Sequence, residues 1–378
     1  MSRNSAFEDI RPYNDMEIPD AMQRLAGNPM LEQVFSWLFP DQSPREHIER
    51  VRSITSNREF QEQVMHPATL SIIEKTMDGF TSSGASEARE GEGTLYISNH
   101  RDIVLDATLL ELVLFRKGLP TTEISFGSNL MSTPSLVDIG KSNKMFKVFR
   151  KEGNMRELVQ HSRHLSDYIR DRIQNGISVW IAQHEGWCKD GNDITDTGLL
   201  KMLAMSGGRD HVTSLASLHI VPVAVSYEIE PCDIMKVKEL YKKRQEGTYT
   251  KSPGEDLVSI VTGITQYKGR VHCSLCPAVT PEELESFADL PVPAFFSEAA
   301  SLINRRIHHG YKPYGTNYAA CDLLSGRQDH REHYSDNDVQ FLAQREMLLP
   351  RKDTRSSEIM THLLRKMYAN PVLNKEKL

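Results

Sequence analysis

The sequence predicts an α/β protein built around a mostly parallel sheet with flanking helices, a helical N-terminal domain and a helical C-terminal extension. From about residue 94, short apolar stretches alternate with longer amphipathic ones, and strands that alternate with helices are typical of a parallel sheet. The first ninety residues instead carry apolar residues at three- and four-residue spacing, which is the spacing of one helix face. A chain of 378 residues is too long for one small core. We therefore predict a helical domain at 1–88, an α/β domain at 89–290 and a helical extension at 291–378.

The first ninety residues are predicted to form helices, because Ser or Asn precedes each apolar-periodic stretch as a helix N-cap would. The stretches are NPMLEQVFSWLF, SPREHIERVRSI and NREFQEQVMHPATLSIIEKTMDGF. The polar, glycine-bearing segment TSSGASEAREGEG then follows, and it is typical of a connector.

The α/β region contains six predicted strands, rich in Val, Ile and aromatic residues. They are TLYIS, EISFG, FKVFR, ISVWIAQ, IVPVAVSY and GRVHCSLC. Between them, NMRELVQHSRHLSDYIRDRIQNG predicts a long helix that ends at its glycine. After Pro291, FFSEAASLINRRIHH predicts another helix, and a charged, less ordered tail is expected beyond it.

Composition and charge exclude several classes of protein. Hydrophobic residues at 39% and charged residues at 25% are typical of a globular protein. The net charge of −6, without a recognition helix or stacking motif, argues against a nucleic-acid partner. No stretch reaches the ~18–20 apolar residues that span a bilayer, and the first residues do not resemble a signal peptide. We expect a cytoplasmic protein that meets a membrane only at its surface.

The five cysteines do not form a disulfide framework in a chain of this length, so a reduced compartment is the simpler inference. Cys273 and Cys276 form a lone C-x-x-C on a predicted strand, where the two side chains face opposite sides. A second ligand pair is lacking, so we predict buried thiols, no metal site and no cofactor.

A histidine and two aspartates follow the first of the six strands, in ISNHRDIVLD. Open α/β sheets place their chemistry where strands end and helices begin, so His100 is expected at the mouth of the sheet. An isolated His–Asp pair is more often a loop histidine beside a capping aspartate, and Asp102 is well placed as that cap.

Two further strand ends carry charged residues or glycine. In MFKVFRKEGN, Arg150 and Lys151 end an apolar strand, although most Arg–Lys pairs are solvated surface. In VWIAQHEGWCKDGND, the strand ends near Glu185 and Gly186, and a loop with Lys189 follows. Such a glycine lets the backbone approach a ligand, while KDGND is also typical of a plain turn.

Taken together with the buried strand IVPVAVSYE, these segments resemble the four motif blocks of the glycerolipid acyltransferases. SNHRDIVLD is similar to the His-x4-Asp block, FKVFRK to the block ending in arginine, IAQHEGWCKDG to the Glu-Gly block and IVPVAVSYE to the proline-bearing block. The Tyr-Glu ending and the lysine-rich DIMKVKELYKK most resemble the glycerol-3-phosphate acyltransferase branch. The resemblance covers about residues 94–280 and implies the fold of that branch. Two departures are that five residues separate His100 from Asp106, and that Trp187 and Cys188 stand where the family has an arginine.

The resemblance implies an O-acyltransferase of membrane lipid synthesis, with acyl-CoA or acyl-carrier protein as donor. The acceptor would be glycerol 3-phosphate or a lysophospholipid-type molecule. His100 would act as general base without an acyl-enzyme, and backbone N–H groups around Glu185 and Gly186 would hold the oxyanion. The candidates for binding the phosphate of the acceptor are Arg101, Arg150, Lys151 and Lys189.

Asp106 and Asp102 compete as the partner that orients His100 and stabilises its imidazolium. Asp106 stands where the family's aspartate stands if the turn absorbs one inserted residue, so we predict Asp106 and keep Asp102 as the alternative.

Two other functions stay open at this point. One is acylation of an amino-acid-type lipid, and the other is non-catalytic binding of a lipid or an acyl chain, for which the substitutions at Trp187 and Cys188 leave room. For an enzyme we expect peripheral attachment to the inner face of the cell membrane, through exposed apolar residues of a helix.

Overall fold

A single seven-stranded sheet organises the protein, for which a computed structural model describes residues 6–131, 133–149, 154–208, 210–350 and 353–378. The strands are β1 (Gly79–Ser83), β2 (Leu95–Ser98), β3 (Glu123–Gly127), β4 (Met145–Val148), β5 (Val179–Ala182), β6 (Ile220–Tyr227) and β7 (Arg270–Leu275). Their order is β1-β7-β6-β2-β5-β3-β4, and each neighbouring pair is parallel except β6–β7. The predicted α/β class with a mostly parallel sheet is confirmed.

The central strands read as continuous apolar runs because helices cover both faces of the sheet. All eight residues of β6 are buried, as are all four of β2. Cys273 lies in the core on one face and Cys276 in the core on the other. All five cysteines are free and buried, and burial was predicted for Cys273 and Cys276.

The N-terminal region is helical, as predicted, up to the start of the sheet. Its elements are α1 (Ile18–Ala26), α2 (Met30–Leu38), α3 (Pro44–Ser53), α4 (Asn57–Phe60), a π-helical turn (Gln61–Met65) and α5 (His66–Thr76). Ile18 and Met22 share one apolar core with Tyr96 and Val223 of the sheet. These helices therefore pack on the sheet, and the division into three domains stays a prediction.

Strand β1 was not predicted, and residues 79–80 were wrongly included in the preceding helix. Its sequence, GFTSS, has little of the β-branched and aromatic character of a strand. It is an edge strand, and its pairing with β7 supplies what the local sequence does not.

The connections across the sheet are mostly helical. They contain α6 (Leu105–Arg116), α7 (Pro134–Ser142), α8 (Met155–Gln174), α9 (Thr197–Ala204), α10 (His211–Ala216), α11 (Asp233–Glu246) and α12 (Glu255–Thr265), with 3-10 turns at Ala85–Glu87 and Ser128–Leu130, and α13 (Pro281–Glu285) follows β7. The predicted long helix is α8, which starts in a capping box between Asn154 and Glu157. It ends before Gly176, whose φ of +78° suits glycine.

The C-terminal region corrects one expectation. Its helices are α14 (Val292–Gly310), α15 (Gly315–Ser325), α16 (Asp336–Met347) and α17 (Thr354–Lys375), with a 3-10 turn at Arg331–His333. The predicted helix after Pro291 is α14, but the less ordered tail was wrong. Leu342, Leu364 and Met367 form a separate core with Val237 of α11. In the described part of the chain, no helix is both long and apolar enough to cross a bilayer.

Candidate active site

His100 and Asp106 form a hydrogen-bonded pair at the carboxyl end of β2. His100 Nδ1 lies 3.0 Å from Asp106 Oδ2. The same oxygen accepts the backbone N–H groups of Arg101 at 2.5 Å and Asp102 at 2.9 Å. An ionised carboxylate only accepts hydrogen bonds, so Nδ1 carries the proton and Nε2 is left as the basic nitrogen. The predicted pairing with Asp106 is therefore present.

Asp102 caps the helix that follows, as the sequence suggested. Its Oδ1 accepts the N–H groups of Val104 at 2.9 Å and Leu105 at 2.8 Å. This turn absorbs the extra residue between His100 and Asp106. Among the described residues, Asp102 Oδ2 is buried with no hydrogen-bond partner. Burial, together with the nearby Asp106, raises the pKa of the Asp102 carboxyl.

Tyr227 is a site residue to which sequence reasoning gave no role. Its hydroxyl donates to Asp106 Oδ1 at 2.8 Å. Burial, together with the Asp106 charge, raises the pKa of Tyr227 well above its ordinary value, so the hydroxyl keeps its proton. The signal was available: Tyr227 ends β6, and parallel neighbours such as β6 and β2 end at the same edge of a sheet.

An apolar cavity of about 410 Å³ opens beside His100. This volume lies within the ~300–1,000 Å³ range of ligand sites. Trp180 forms part of the wall, with its ring edge-on to the imidazole at 5.6 Å between centroids. The other apolar lining residues are Ile103, Val104, Ala107, Ile124, Phe126, Leu130, Met145, Val148, Phe149, Leu158, Leu165, Ile181, Ala182, Leu199 and Met202. A wider depression between α10 and α13, of about 670 Å³, contains none of the motif residues.

The loop after β5 closes one side of this cavity. His184, Glu185 and Gly186 all line it, and Gly186 has a φ of +74° that favours glycine. The backbone N–H of Cys188 donates to the carbonyl of His100 at 2.5 Å, which holds the loop against the histidine. Burial lowers the pKa of His184. His100 and Glu185 line the same cavity, while Asp106 is fully buried and does not line it.

Arg101 was wrongly predicted to bind the acceptor phosphate. Its side chain is fully buried, with Nη2 donating to Asp193 at 2.6 Å and Nη1 to Glu230 at 2.9 Å. Two buried carboxylates therefore compensate the positive charge of the guanidinium inside the protein. Arg101 is not among the described residues that line the cavity beside His100.

Lys189, another of the predicted cations, is not among the residues that line the cavity. Lys189 Nζ lies 3.2 Å from Glu239 Oε1 and donates to the carbonyl of Trp187 at 3.2 Å. The position of Lys189 thus gives no support to a phosphate contact. Arg150 and Lys151 lie outside the residues that the structure describes.

Helix α17 holds the loop that carries Asp193, which sequence reasoning did not anticipate. Asn370 Nδ2 donates to the carbonyl of Asp190 at 2.7 Å, and Asn374 Nδ2 to that of Asn192 at 2.8 Å. Gly191 lies so close that a Cβ would be 2.2 Å from the carbonyl oxygen of Met367. The four-residue spacing of the asparagines marks one helix face, but only the fold shows what that face contacts.

Two solved structures bear some likeness to the chain. The 1-acyl-sn-glycerophosphate (LPA) acyltransferase PlsC from Thermotoga maritima is 12% identical, over 76% of this chain and 93% of that chain, with a TM-score of 0.35. The signal recognition particle 54 kDa protein from Aeropyrum pernix K1 is 10% identical, over 96% and 94%, with a TM-score of 0.21. At these TM-scores, the likeness of the chain to either structure is weak. No curated protein matches the chain.

A family model described as Acyltransferase matches residues 79–226. This range starts at β1 and ends in β6. It holds the His100–Asp106 pair, the loop after β5 and all the residues that line the cavity. This part of the chain is therefore similar to the acyltransferase family, in keeping with its resemblance to the glycerolipid acyltransferases.

Proposed function

We propose that this protein transfers a fatty acyl group from acyl-CoA or acyl-carrier protein to a hydroxyl of glycerol 3-phosphate or a lysophospholipid-type acceptor. The observation that carries the proposal is a histidine paired through Nδ1 with a buried carboxylate, at the wall of an apolar cavity. The apolar wall suits an acyl chain, and the histidine suits the proton transfer that ester formation needs.

In the proposed reaction, His100 Nε2 accepts the proton of the acceptor hydroxyl while its oxygen attacks the thioester carbonyl. The tetrahedral intermediate collapses to an ester and a thiolate, and the imidazolium returns the proton to that thiolate. Asp106 stabilises the imidazolium and keeps its tautomer, as an aspartate does in a Ser-His-Asp triad. The backbone at Gly186 is the candidate to stabilise the oxyanion.

Direct transfer without an acyl-enzyme is supported by the protonation state of the Cys188 thiol. Cys188 follows the Glu-Gly pair, but burial raises the pKa of its thiol to about 12. A thiol is a strong nucleophile only as the thiolate, so Cys188 is a poor candidate for an acyl carrier.

A second acceptor class is an amino-acid-type lipid, which would bring an amine to the cavity. Of the carboxylates that line the cavity, Asp196 accepts the Gly198 N–H and so caps α9. The amine-bearing acceptor is therefore kept as the alternative. Arg150 and Lys151 stay candidates for a phosphate on sequence grounds alone.

The test is acyl transfer from radiolabelled palmitoyl-CoA and palmitoyl-acyl-carrier protein to a panel of acceptors. The panel contains glycerol 3-phosphate, lysophosphatidate and an amino-acid lipid, with His100→Ala as the matched inactive variant. We expect a labelled ester with a phosphate-bearing acceptor, abolished by the substitution. Labelled product from the amino-acid lipid alone would favour the second acceptor class. Binding of the acyl donor with no transfer to any acceptor would contradict catalysis and favour a non-catalytic binding module.

We also propose peripheral attachment to the cytoplasmic face of the membrane, because a product with long acyl chains partitions into lipid.

A further inference from the structure

Helix α12 exposes apolar side chains where a surface helix ordinarily carries charge. Leu257, Val258 and Val261 are 46%, 55% and 52% exposed. They stand at i, i+1 and i+4, and so share one face of the helix. The opposite face is buried and contains the small residues Ser259 and Gly263. The helix therefore lies close to the protein while its apolar face points outward.

The inner face of α12 reaches two parts of the candidate active site. A Cβ on Gly263 would lie 2.1 Å from Asp102 Oδ2, so the helix backbone packs directly on the turn that follows His100. In the first turn of α12, Asp256 accepts a hydrogen bond from Asn129 Nδ2 at 2.6 Å. The residue after Asn129 is Leu130, which lines the apolar cavity. A molecule bound to the outer face of α12 would thus lie close to the cavity.

Exposed basic residues lie next to this apolar face. Helix α11 exposes Lys238 near its middle and Lys242, Lys243 and Arg244 near its carboxyl end. Lys242 Nζ lies 5.6 Å from the ring centroid of Tyr249, and the Tyr249 hydroxyl donates to Glu255 of α12 at 2.6 Å. The basic end of α11 and the start of α12 are therefore neighbours. In a chain of net charge −6, this cluster is a local reversal of sign.

We propose that the outer face of α12 and the basic end of α11 form a docking surface for an anionic lipid membrane. Apolar side chains beside lysine and arginine are what an interfacial helix presents to a bilayer, where the apolar groups enter the acyl boundary and the cations meet lipid phosphates. The inference rests on the proposed function, since it places the cavity beside the lipid that would supply an acceptor and take up a product.

The test is sedimentation of the full chain with vesicles of phosphatidylcholine alone and of phosphatidylcholine mixed with phosphatidylglycerol. We expect binding to the mixed vesicles that weakens with salt. Val258→Asp should weaken that binding roughly tenfold or more, because an exposed valine that would enter the bilayer is replaced by a charge. The matched control is Val292→Asp at the start of α14, where the valine is 48% exposed, and its binding should be unchanged. Lys242→Glu with Lys243→Glu should weaken binding to the mixed vesicles only.

Three results would overturn the proposal: no binding of the natural chain, equal binding of Val258→Asp, or an equal loss in Val292→Asp. Acyl transfer with soluble substrates in the absence of vesicles separates the two proposals. If Val258→Asp keeps that activity and loses vesicle binding, both hold. If no acceptor is acylated and Val258→Asp still loses vesicle binding, the proposed reaction fails while the docking surface stands.

Discussion

At the scale of single residues, two aspartates near His100 differ in what their positions let them contact. Asp102 lies inside the turn and accepts the N–H groups of Val104 and Leu105. Asp106 lies in the first turn of α6, and helical side chains point back toward the N-terminus of the helix. Its carboxylate therefore returns over the turn to His100. With five residues between His100 and Asp106 instead of four, the turn is different, but the hydrogen bond between the two side chains still forms.

We expect Asp106→Asn to lower kcat by roughly 10²–10⁴-fold, because an amide does not stabilise the imidazolium and can hold the wrong tautomer. Asp102→Asn should keep most of the activity, since asparagine caps a helix about as well as aspartate. Steady-state acyl transfer measures both, and circular dichroism checks that both variants are folded. An inactive Asp102→Asn beside an active Asp106→Asn would reverse the assignment.

Residue identities predicted the site where the contacts are local, and failed where they are distant. His100 and Asp106 are six positions apart, and the loop at Glu185 follows its own strand, so strand ends and spacing were enough. Arg101 was misassigned because its partners, Asp193 and Glu230, lie 92 and 129 positions away. No local pattern distinguishes a buried arginine from one that binds a ligand.

At the scale of elements, helices and strands that depend on local sequence were also predicted, and those that depend on distant contacts were not. The six predicted strands and α8 carry their own periodicity, caps and stop signals, so they are present near the expected bounds. Strand β1 depends on its pairing with β7. Helices α15 to α17 pack on one another and on α11 around a small core of their own, and no local pattern in this charged stretch indicates that core.

The contact between α17 and the loop after β5 predicts a sensitive glycine. Gly191→Ala would combine a φ of +76° with a Cβ placed 2.2 Å from the Met367 carbonyl oxygen. We expect a loss of unfolding free energy larger than the ~1 kcal/mol of left-handed strain alone, together with reduced acyl transfer. Thermal unfolding and kcat measure the two effects.

The control for Gly191 is Gly326→Ala at the end of α15. Its φ is +69°, and apart from its chain neighbours no described residue has an atom within 4 Å of the added Cβ. This variant should lose about 1 kcal/mol of stability and keep its activity. Equal behaviour of the two variants would argue against a tight junction at Gly191.

At the scale of the whole molecule, Lys268 links stability to pH because it is buried between α5 and α12. Its Nζ donates to Thr76 Oγ1 at 3.1 Å and to the carbonyl of Ile264 at 3.2 Å. Burial lowers the pKa of Lys268 from 10.5 to about 8. Between these two values the unfolded chain binds one more proton than the folded chain at this site, so the contribution of Lys268 to stability rises with pH.

We therefore expect the free energy of unfolding of the natural chain to rise relative to that of Lys268→Met by about 1–3 kcal/mol between pH 8 and about pH 10. Urea unfolding at a series of pH values measures the difference. Lys201→Met, at an exposed position of α9, is the control and should show no such trend. A flat difference for Lys268→Met would mean that the folded chain keeps this lysine charged.

The bonds from α17 to the loop after β5 also bear on how a newly made chain becomes active. Asn374 lies 182 positions after the carbonyl that it holds, that of Asn192. At ribosomal rates of roughly 5–20 residues per second, the loop emerges about 10–40 seconds before the helix that secures it. During that interval His100 and Asp106 have already been translated, yet the loop beside them lacks its final support. We expect a nascent chain to gain full activity only after α17 has left the ribosome, so premature acylation by an unfinished polypeptide is disfavoured.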